Sequence, residues 1–273
     1  MNKHLIFMDI DGTLVDKDMQ ISAKDRNAIE KAIDQGARVY VATGRKYAAA
    51  KEVAAQLHPA VQVVASNGSV YEYQEQLFQT ALSTPAIEGV YQKALANQVS
   101  LFFFGLEKTF YLNDLPAYFS KEDQARLVAG KESLFEKIDS PATLHRLADE
   151  IINGIIISET DFSILAKIRQ ELVTIADLSV SSSHANNLEL IPQGISKATA
   201  IAALQKKYQI SKEQTITFGD GMNDVEMFSQ ATYSVAMGNA TNKVKAHARF
   251  QTLPNTESGI AHFLTKYEQG DFS

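Results

Sequence analysis

The run Leu5-Ile6-Phe7-Met8-Asp9-Ile10-Asp11-Gly12-Thr13-Leu14 constrains this chain more than any other stretch. A short apolar segment reads as a buried strand, yet this one ends in two carboxylates that an apolar core cannot hold unpaired. In an extended segment residues i and i+2 share a face, which puts Asp9 and Asp11 together and points Ile10 back into the core. Gly12 then frees the backbone for a sharp turn. Two like charges this close raise one pKa strongly unless a cation sits between them, and hard carboxylate oxygens suit Mg2+. Taken alone, the segment fits a strand with an Asp-Gly turn as well as it fits a site.

The chain has 273 residues, 45% of them hydrophobic, which suffices for one large core or for two domains; two are expected. A net charge of −6 argues against a broad surface for nucleic acid or anionic membrane. The absence of cysteine excludes disulfides, thiolate metal sites and a cysteine nucleophile. The N-terminal apolar stretch is too short for a signal-peptide core, and no segment approaches the ~20 apolar residues of a membrane span. The expectation is a cytoplasmic protein with neither nucleic acid nor membrane as partner. Oligomeric state is left open.

The first third alternates strand and helix. Strand Leu5–Asp9, a helix from Ser22 to Gln35 with Ser22 as N-cap and Gly36 past its end, strand Arg38–Ala42, helix Lys46–Leu57 and strand Val61–Ala65 follow one another. The rhythm returns late: helix Lys197–Tyr208, strand Thr215–Phe218, helix Asn223–Gln230, strand Tyr233–Ala236, a helix from Asn242 to about His247, and a last helix Glu257–Tyr267. Both ends therefore belong to one doubly wound parallel α/β sheet of Rossmann-like type. The middle differs: Ser100–Gly105 and Thr109–Leu112 read as a hairpin, followed by helical Pro141–Glu150, strand Ile151–Ile157, helix Asp161–Leu172 and strand Ile175–Ser181. This is an α+β insert, with Pro85 and Pro192-Gln193-Gly194 as expected hinges. The expected division is a core of residues 1–82 and 188–273 around an insert of 83–187.

Three further segments fall where such a sheet presents its ligand crevice, at the carboxyl ends of strands. Thr43-Gly44-Arg45 closes a strand and opens a helix, where a hydroxyl and free N–H groups make either an anion site or an ordinary cap. Arg45 is open between a site residue and a solvated charge. Ser196-Lys197 starts a helix, and a lysine there opposes the helix dipole unless it reaches an anion. Phe218-Gly219-Asp220-Gly221-Met222-Asn223-Asp224 offers two carboxylates four apart on a tight loop, without the spacing of an EF-hand.

In order along the chain, Asp9-Ile10-Asp11-Gly12-Thr13, Thr43-Gly44-Arg45, Ser196-Lys197 and Gly219-Asp220-Gly221-Met222-Asn223-Asp224 resemble motifs I to IV of the haloacid dehalogenase-like superfamily. More narrowly, the chain resembles its Cof-type phosphatases with a C2B cap inserted between motifs II and III. Ser66-Asn67-Gly68, Leu188-Glu189-Leu190-Ile191-Pro192 and Ala236-Met237-Gly238-Asn239-Ala240 support the match, which spans essentially the whole chain. Two departures are peripheral. Ser196-Lys197-Ala198 stands where the family often has Ser-Lys-Gly, and Asn255-Thr256-Glu257-Ser258-Gly259 lacks one carboxylate of the usual tail.

The resemblance implies a Mg2+-dependent phosphatase acting on small phosphate esters, sugar phosphates or phosphorylated cofactors such as flavin mononucleotide or pyridoxal phosphate. Asp9 is then the nucleophile that forms an aspartyl-phosphate. Asp11 protonates the leaving alkoxide and later activates water. Thr43, Gly44, Lys197 and Asn223 bind the phosphoryl oxygens. Mg2+ is held by Asp9, by the backbone carbonyl of Asp11 and by Asp220, with Asp224 orienting the set. The insert becomes a cap whose residues set specificity, His184 and Asn187 among the candidates, while Phe102-Phe103-Phe104 reads as buried core. A phosphomutase of the same superfamily and a lapsed, metabolite-binding relative are the alternatives. A signalling receiver domain fits poorly, because the strands ending near Ala42 and Ala65 carry no acceptor aspartate.

Overall fold

The computed structural model describes residues 3–115, 127–128, 132–159, 161–182 and 185–272. It divides into two compact units, Met1–Phe78 with Ile195–Ser273, and Gln79–Gly194.

The first unit begins with β1 (Leu5–Met8), every residue of which is buried. Helix α1 (Ala23–Asp34) follows, its Ser22 side chain accepting from the Asp25 N–H as an N-cap should, and Gly36 with φ 92° lies just beyond its end. Then come β2 (Arg38–Ala42), α2 (Tyr47–Leu57) and β3 (Gln62–Ala65). A hairpin of β4 (Val70–Tyr73) and β5 (Gln76–Gln79) extends the sheet where the sequence pattern suggested no strand. The pattern is broken by Glu72, a charge at a buried position. Its carboxylate is satisfied by the Tyr47 hydroxyl (2.7 Å), Lys51 Nζ (2.7 Å) and the Val63 N–H (3.0 Å).

The second unit opens with α3 (Thr84–Asn97), capped by the Ser83 side chain. Pro85 is no hinge: it sits in the first turn of α3, where a missing N–H costs nothing. Strands β6 (Ser100–Phe104) and β7 (Thr109–Leu112) form the expected antiparallel hairpin, and β8 (Phe135–Lys137) pairs with β7. Helix α4 (Pro141–Leu147), β9 (Asn153–Ile157), α5 (Phe162–Leu172), β10 (Leu178–Ser181) and β11 (Asn187–Pro192) complete it. The six strands run in the order β10-β11-β9-β6-β7-β8. Alternate residues Leu101, Phe103, Ile156, Leu188 and Leu190 enter one core with Val90 of α3 and Ile168 of α5. The insert therefore continues past the expected boundary at 187. Leu188 to Pro192 alternates inward and pairs with β9 and β10, so it is a strand of this sheet and not the start of the return to the core. His184 lies outside the described residues, and Asn187 opens β11.

The first unit resumes with α6 (Lys197–Tyr208), β12 (Thr215–Gly219), a 3-10 turn Met222–Asp224, and α7 (Val225–Phe228). Then follow β13 (Tyr233–Ala236), α8 (Asn242–Lys245), β14 (Phe250–Gln251) and α9 (Gly259–Gln269). The sheet order is β14-β13-β12-β1-β2-β3-β4-β5, parallel from β14 to β3, so it is the doubly wound sheet expected with an α+β insert. Parallel register brings the carboxyl ends of β1, β2, β3 and β12 to one edge. Among the described residues no helix is long and apolar enough to cross a membrane.

The two chain ends are stapled together by Asp25. Its buried carboxylate accepts from the Ala261 N–H at the start of α9 (2.7 Å) and from Ser22 Oγ (2.9 Å). Asp25→Ala should cost about 1–3 kcal/mol, because it removes the acceptor of a partly buried N–H and of Ser22 Oγ. Denaturant unfolding measures this, and Asp25→Asn, which keeps one acceptor oxygen, should lose less.

Candidate active site

Strand β1 ends at Met8, and the Asp9 N–H still donates to the Phe218 carbonyl of β12 (3.0 Å). The chain then turns about Ile10, whose carbonyl accepts from the N–H groups of Thr13, Leu14 and Val15. Because the extended geometry stops there, Asp9 and Asp11 do not share a face as the i, i+2 rule predicted. Asp9 is 6% exposed, whereas the Asp11 side chain is 58% exposed. Asp11 pairs with Arg45, through Nε to Oδ2 at 2.8 Å and through Nη2 to Oδ1. Arg45 is thus a partner of Asp11 and not a lone helix-start charge.

The buried half of the arrangement centres on Lys197. Its Nζ donates to Asp9 Oδ1 (2.6 Å) and to Asp224 Oδ1 (2.7 Å), with the lysine side chain fully buried. The position at the first turn of α6, unfavourable to a cation in water, is explained by these two anions. Asp224 Oδ2 accepts from the N–H groups of Asp220 and Gly221, both at 2.9 Å, which fixes the acidic loop. Asp220 Oδ1 accepts from Thr13 Oγ1 (2.9 Å), tying that loop to the turn after Asp9. Gly12 has φ +79°, and a Cβ there would meet Asp220 Oδ2 at 2.3 Å, so only glycine lets the two loops close.

Carboxylate oxygens of Asp9, Asp220 and Asp224 all lie within 4.8 Å of one another. One ammonium cannot balance three carboxylates in a buried site. Burial pushes the Asp9 carboxyl up to about 7, Lys197 opposing the shift and Asp224 adding to it. Burial likewise lifts Asp220 to about 6, against the Thr13 hydrogen bond that favours its anion. Burial works against the charge on Lys197, but Asp224 and Asp9 outweigh it and hold the ammonium above its ordinary range. The unbalanced negative charge and an all-oxygen donor set fit a hard divalent cation such as Mg2+. The Asp11 carboxylate, expected near that cation's ligands, is not part of this cluster.

The residues expected to bind phosphate occupy the same sheet edge. Thr43 is buried and its Oγ1 accepts from the Arg45 N–H (3.2 Å) within a turn. Helix α2 starts only at Tyr47, so Thr43 and Gly44 precede the helix N-terminus instead of capping it. Asn223 lies in the 3-10 turn after β12. Four residues without an assigned role from sequence belong here too: Thr13, Asn67, Asn239 and Asn255. Asn239 Nδ2 donates to the Gly12 carbonyl (2.7 Å) and to Asp220 Oδ2 (3.4 Å). Asn255 donates its N–H to Asn239 Oδ1 (3.1 Å) and its Nδ2 to the Val15 carbonyl (2.8 Å). Side-chain amides that bridge loops leave no periodic signature, and only their place in the segments around 66–68, 236–240 and 255–259 marked them.

A family model described as haloacid dehalogenase-like hydrolase matches residues 6–264. The chain belongs to this family. A Bacillus subtilis phosphatase is 30% identical over 95% of this chain and 98% of its own. A 5-amino-6-(5-phospho-D-ribitylamino)uracil phosphatase of the same organism is 26% identical over 98% and 99%. Among solved structures, a haloacid dehalogenase-like hydrolase from Bacteroides thetaiotaomicron superposes with a TM-score of 0.82 at 26% identity, covering 97% of this chain and 99% of that one. A haloacid dehalogenase-like hydrolase from B. subtilis gives 0.81 at 27% identity, covering 96% and 99%.

The acidic cluster of this haloacid dehalogenase-like hydrolase carries a pH signature. Asp9 and Asp220 hold protons in the folded state up to about 7 and about 6, where the unfolded chain has released them. The folded state binds more protons, so stability of the metal-free protein falls as pH rises from about 4 to 7. A Mg2+ ion held by these carboxylates would compete with those protons, and its stabilising effect should grow over the same window. Melting curves with EDTA or Mg2+ across pH 4.5–8 (about the range bracketing both groups) test this; a Mg2+ increment that shrinks with rising pH contradicts it.

Proposed function

We propose that this haloacid dehalogenase-like phosphatase hydrolyses small phosphorylated metabolites through an aspartyl-phosphate on Asp9, with Mg2+ as cofactor. The observation that carries the reading is the buried Lys197 bridge between Asp9 and Asp224, set beside Asp220. A fully buried lysine held by two carboxylates is a costly structural element, and a phosphoryl-transfer site has use for it.

In this reading an Asp9 carboxylate oxygen attacks phosphorus in line, the new O–P bond forming as the ester O–P bond breaks. Asp11, on the outward side of the turn, gives its proton to the departing alkoxide. The carboxylate so formed then takes a proton from the water that hydrolyses the acyl phosphate and regenerates Asp9. Arg45, bound to the Asp11 carboxylate, holds it in place. Lys197 keeps Asp9 aligned and sets a positive charge beside the oxygen to which phosphorus becomes attached. Thr43, Gly44 and Asn223 would supply neutral donors to the other phosphoryl oxygens. Asp9, Asp220 and Asp224 would hold Mg2+, with the Asp11 backbone carbonyl as a further ligand; the ion supplies charge neutralisation for an anion meeting a dianion.

The substrate class is small phosphate esters: sugar phosphates, and phosphorylated cofactors or their precursors. The ribitylaminouracil phosphatases among the relatives place a phosphorylated ribityl compound beside flavin mononucleotide and pyridoxal phosphate in the set to be assayed. A panel of such esters with Mg2+, ranked by kcat/KM, tests the reading. Asp9→Asn should abolish turnover of every ester in the panel, and a near wild-type rate would rule out the nucleophile. Lys197→Ala should lower kcat by roughly 10²-fold or more, as the loss of a transition-state donor does. An unchanged rate would reduce the buried ion pairs to scaffolding.

A further inference from the structure

The turn Ser66-Asn67-Gly68 closes β3, and the chemistry above gives it no task. Its three residues have φ of 51°, 52° and 97°. Glycine enters this left-handed region freely, but serine and asparagine do so at a cost that their surroundings must offset. The Ser66 hydroxyl does not offset it, being buried without a hydrogen-bond partner. The turn is held through its backbone: the Ser66 N–H donates to the Arg45 carbonyl (2.8 Å) and the Asn67 N–H to the Thr43 carbonyl (3.0 Å). On its other side, a Cβ on Gly68 would lie 2.1 Å from the Ser196 carbonyl oxygen, so the turn rests directly on the start of the helix that carries Lys197.

One side chain makes use of that placement. Asn67 is 7% exposed, and its Oδ1 accepts from Asn223 Nδ2 at 3.4 Å. The same oxygen lies 3.2 Å from where a Cβ on Gly44 would be, so the amide stands between the Thr43-Gly44 turn and Asn223. An asparagine amide carries two N–H donors and one acceptor oxygen. When one Asn223 N–H is given to Asn67, the plane of the Asn223 amide is fixed and its second N–H is left for an anion. Without that bond the amide can rotate and present its oxygen, which repels a phosphoryl group.

We propose that Asn67 is a positioning residue of the phosphate pocket, fixing the Asn223 amide as a donor against the Thr43-Gly44 turn, and that the left-handed turn is retained to aim it. The inference rests on the phosphatase reading. Asn67→Gly is the decisive variant, since glycine adopts φ near 52° without strain and only the amide is lost. In the active wild-type enzyme with Mg2+, inhibition by inorganic phosphate and kcat/KM for the best ester of the panel are measured beside the melting temperature. The expected result is phosphate inhibition weakened about ten-fold and kcat/KM lowered similarly, at an unchanged or raised melting temperature. Because Asn67 acts through Asn223, adding Asn67→Gly to Asn223→Ala should change kcat/KM by less than about two-fold beyond the single Asn223→Ala variant. Phosphate inhibition within about two-fold of wild type in Asn67→Gly, or losses that multiply in the double variant, would overturn the positioning role and leave the phosphatase reading standing. A wild-type enzyme that hydrolyses no ester of the panel and is not inhibited by phosphate would remove both.

Discussion

A lysine ammonium with no solvent exposure, bonded at 2.6 and 2.7 Å to two carboxylates, is the interaction on which the rest of this site depends. Taking three charges out of water costs several kcal/mol per ion, and the Coulombic return is rarely large enough to make such a cluster a net source of stability. An apolar trio of similar volume would hold β1, β12 and α6 together at least as well. The cluster therefore makes sense through its charge, which no apolar replacement supplies. It also sets demands on its neighbours. Asp224 is oriented by the N–H groups of Asp220 and Gly221, and Asp220 by Thr13, which holds the negative charges at fixed places.

The parallel sheet is what allows these residues to meet. Asp9 and Lys197 are 188 positions apart, yet each lies at an element terminus on the carboxyl edge of adjacent strands or on the helix that returns to them. The insert adds its own sheet and its own apolar core, so it interrupts the first unit in sequence without contributing a strand between β14 and β4. The Asp25 staple joins α1 to α9, while the Asn239–Asn255 pair draws the C-terminal segment onto the loop that follows Asp9.

Sequence pattern carried far where burial and period coincide. Strand β1 is a run of four apolar residues, α1 is bracketed by Ser22 and Gly36, and both are found as read. Pattern reading weakened where a residue's partner lies far along the chain. Glu72 hid β4 because a buried carboxylate looks like a break until Tyr47, Lys51 and the Val63 N–H are seen to satisfy it. Leu188 to Pro192 runs towards the Ser196-Lys197 motif in sequence, yet its alternation matches the insert's sheet, with which it pairs. In the site, the charged members of the cluster were legible as residue types that an apolar context cannot leave unpaired. The amides of Asn67, Asn239 and Asn255 were not, since a loop-bridging amide has neither charge nor period to betray it.

The same distinction governs the pair at the start of the chain. Two aspartates separated by one isoleucine would be near-equivalent on a straight strand, and near-equivalent carboxylates titrate as a coupled pair. Closure of the backbone about Ile10 breaks that equivalence. It leaves Asp9 against Lys197 in the interior and turns Asp11 outward to Arg45, so that one carboxyl is raised by burial while the other meets solvent and a guanidinium. Opposite environments are the usual means by which two identical side chains take on nucleophilic and acid–base work in one site. In the proposed mechanism the means is a turn of a few residues, made possible by a glycine whose missing Cβ is also the space that Asp220 occupies.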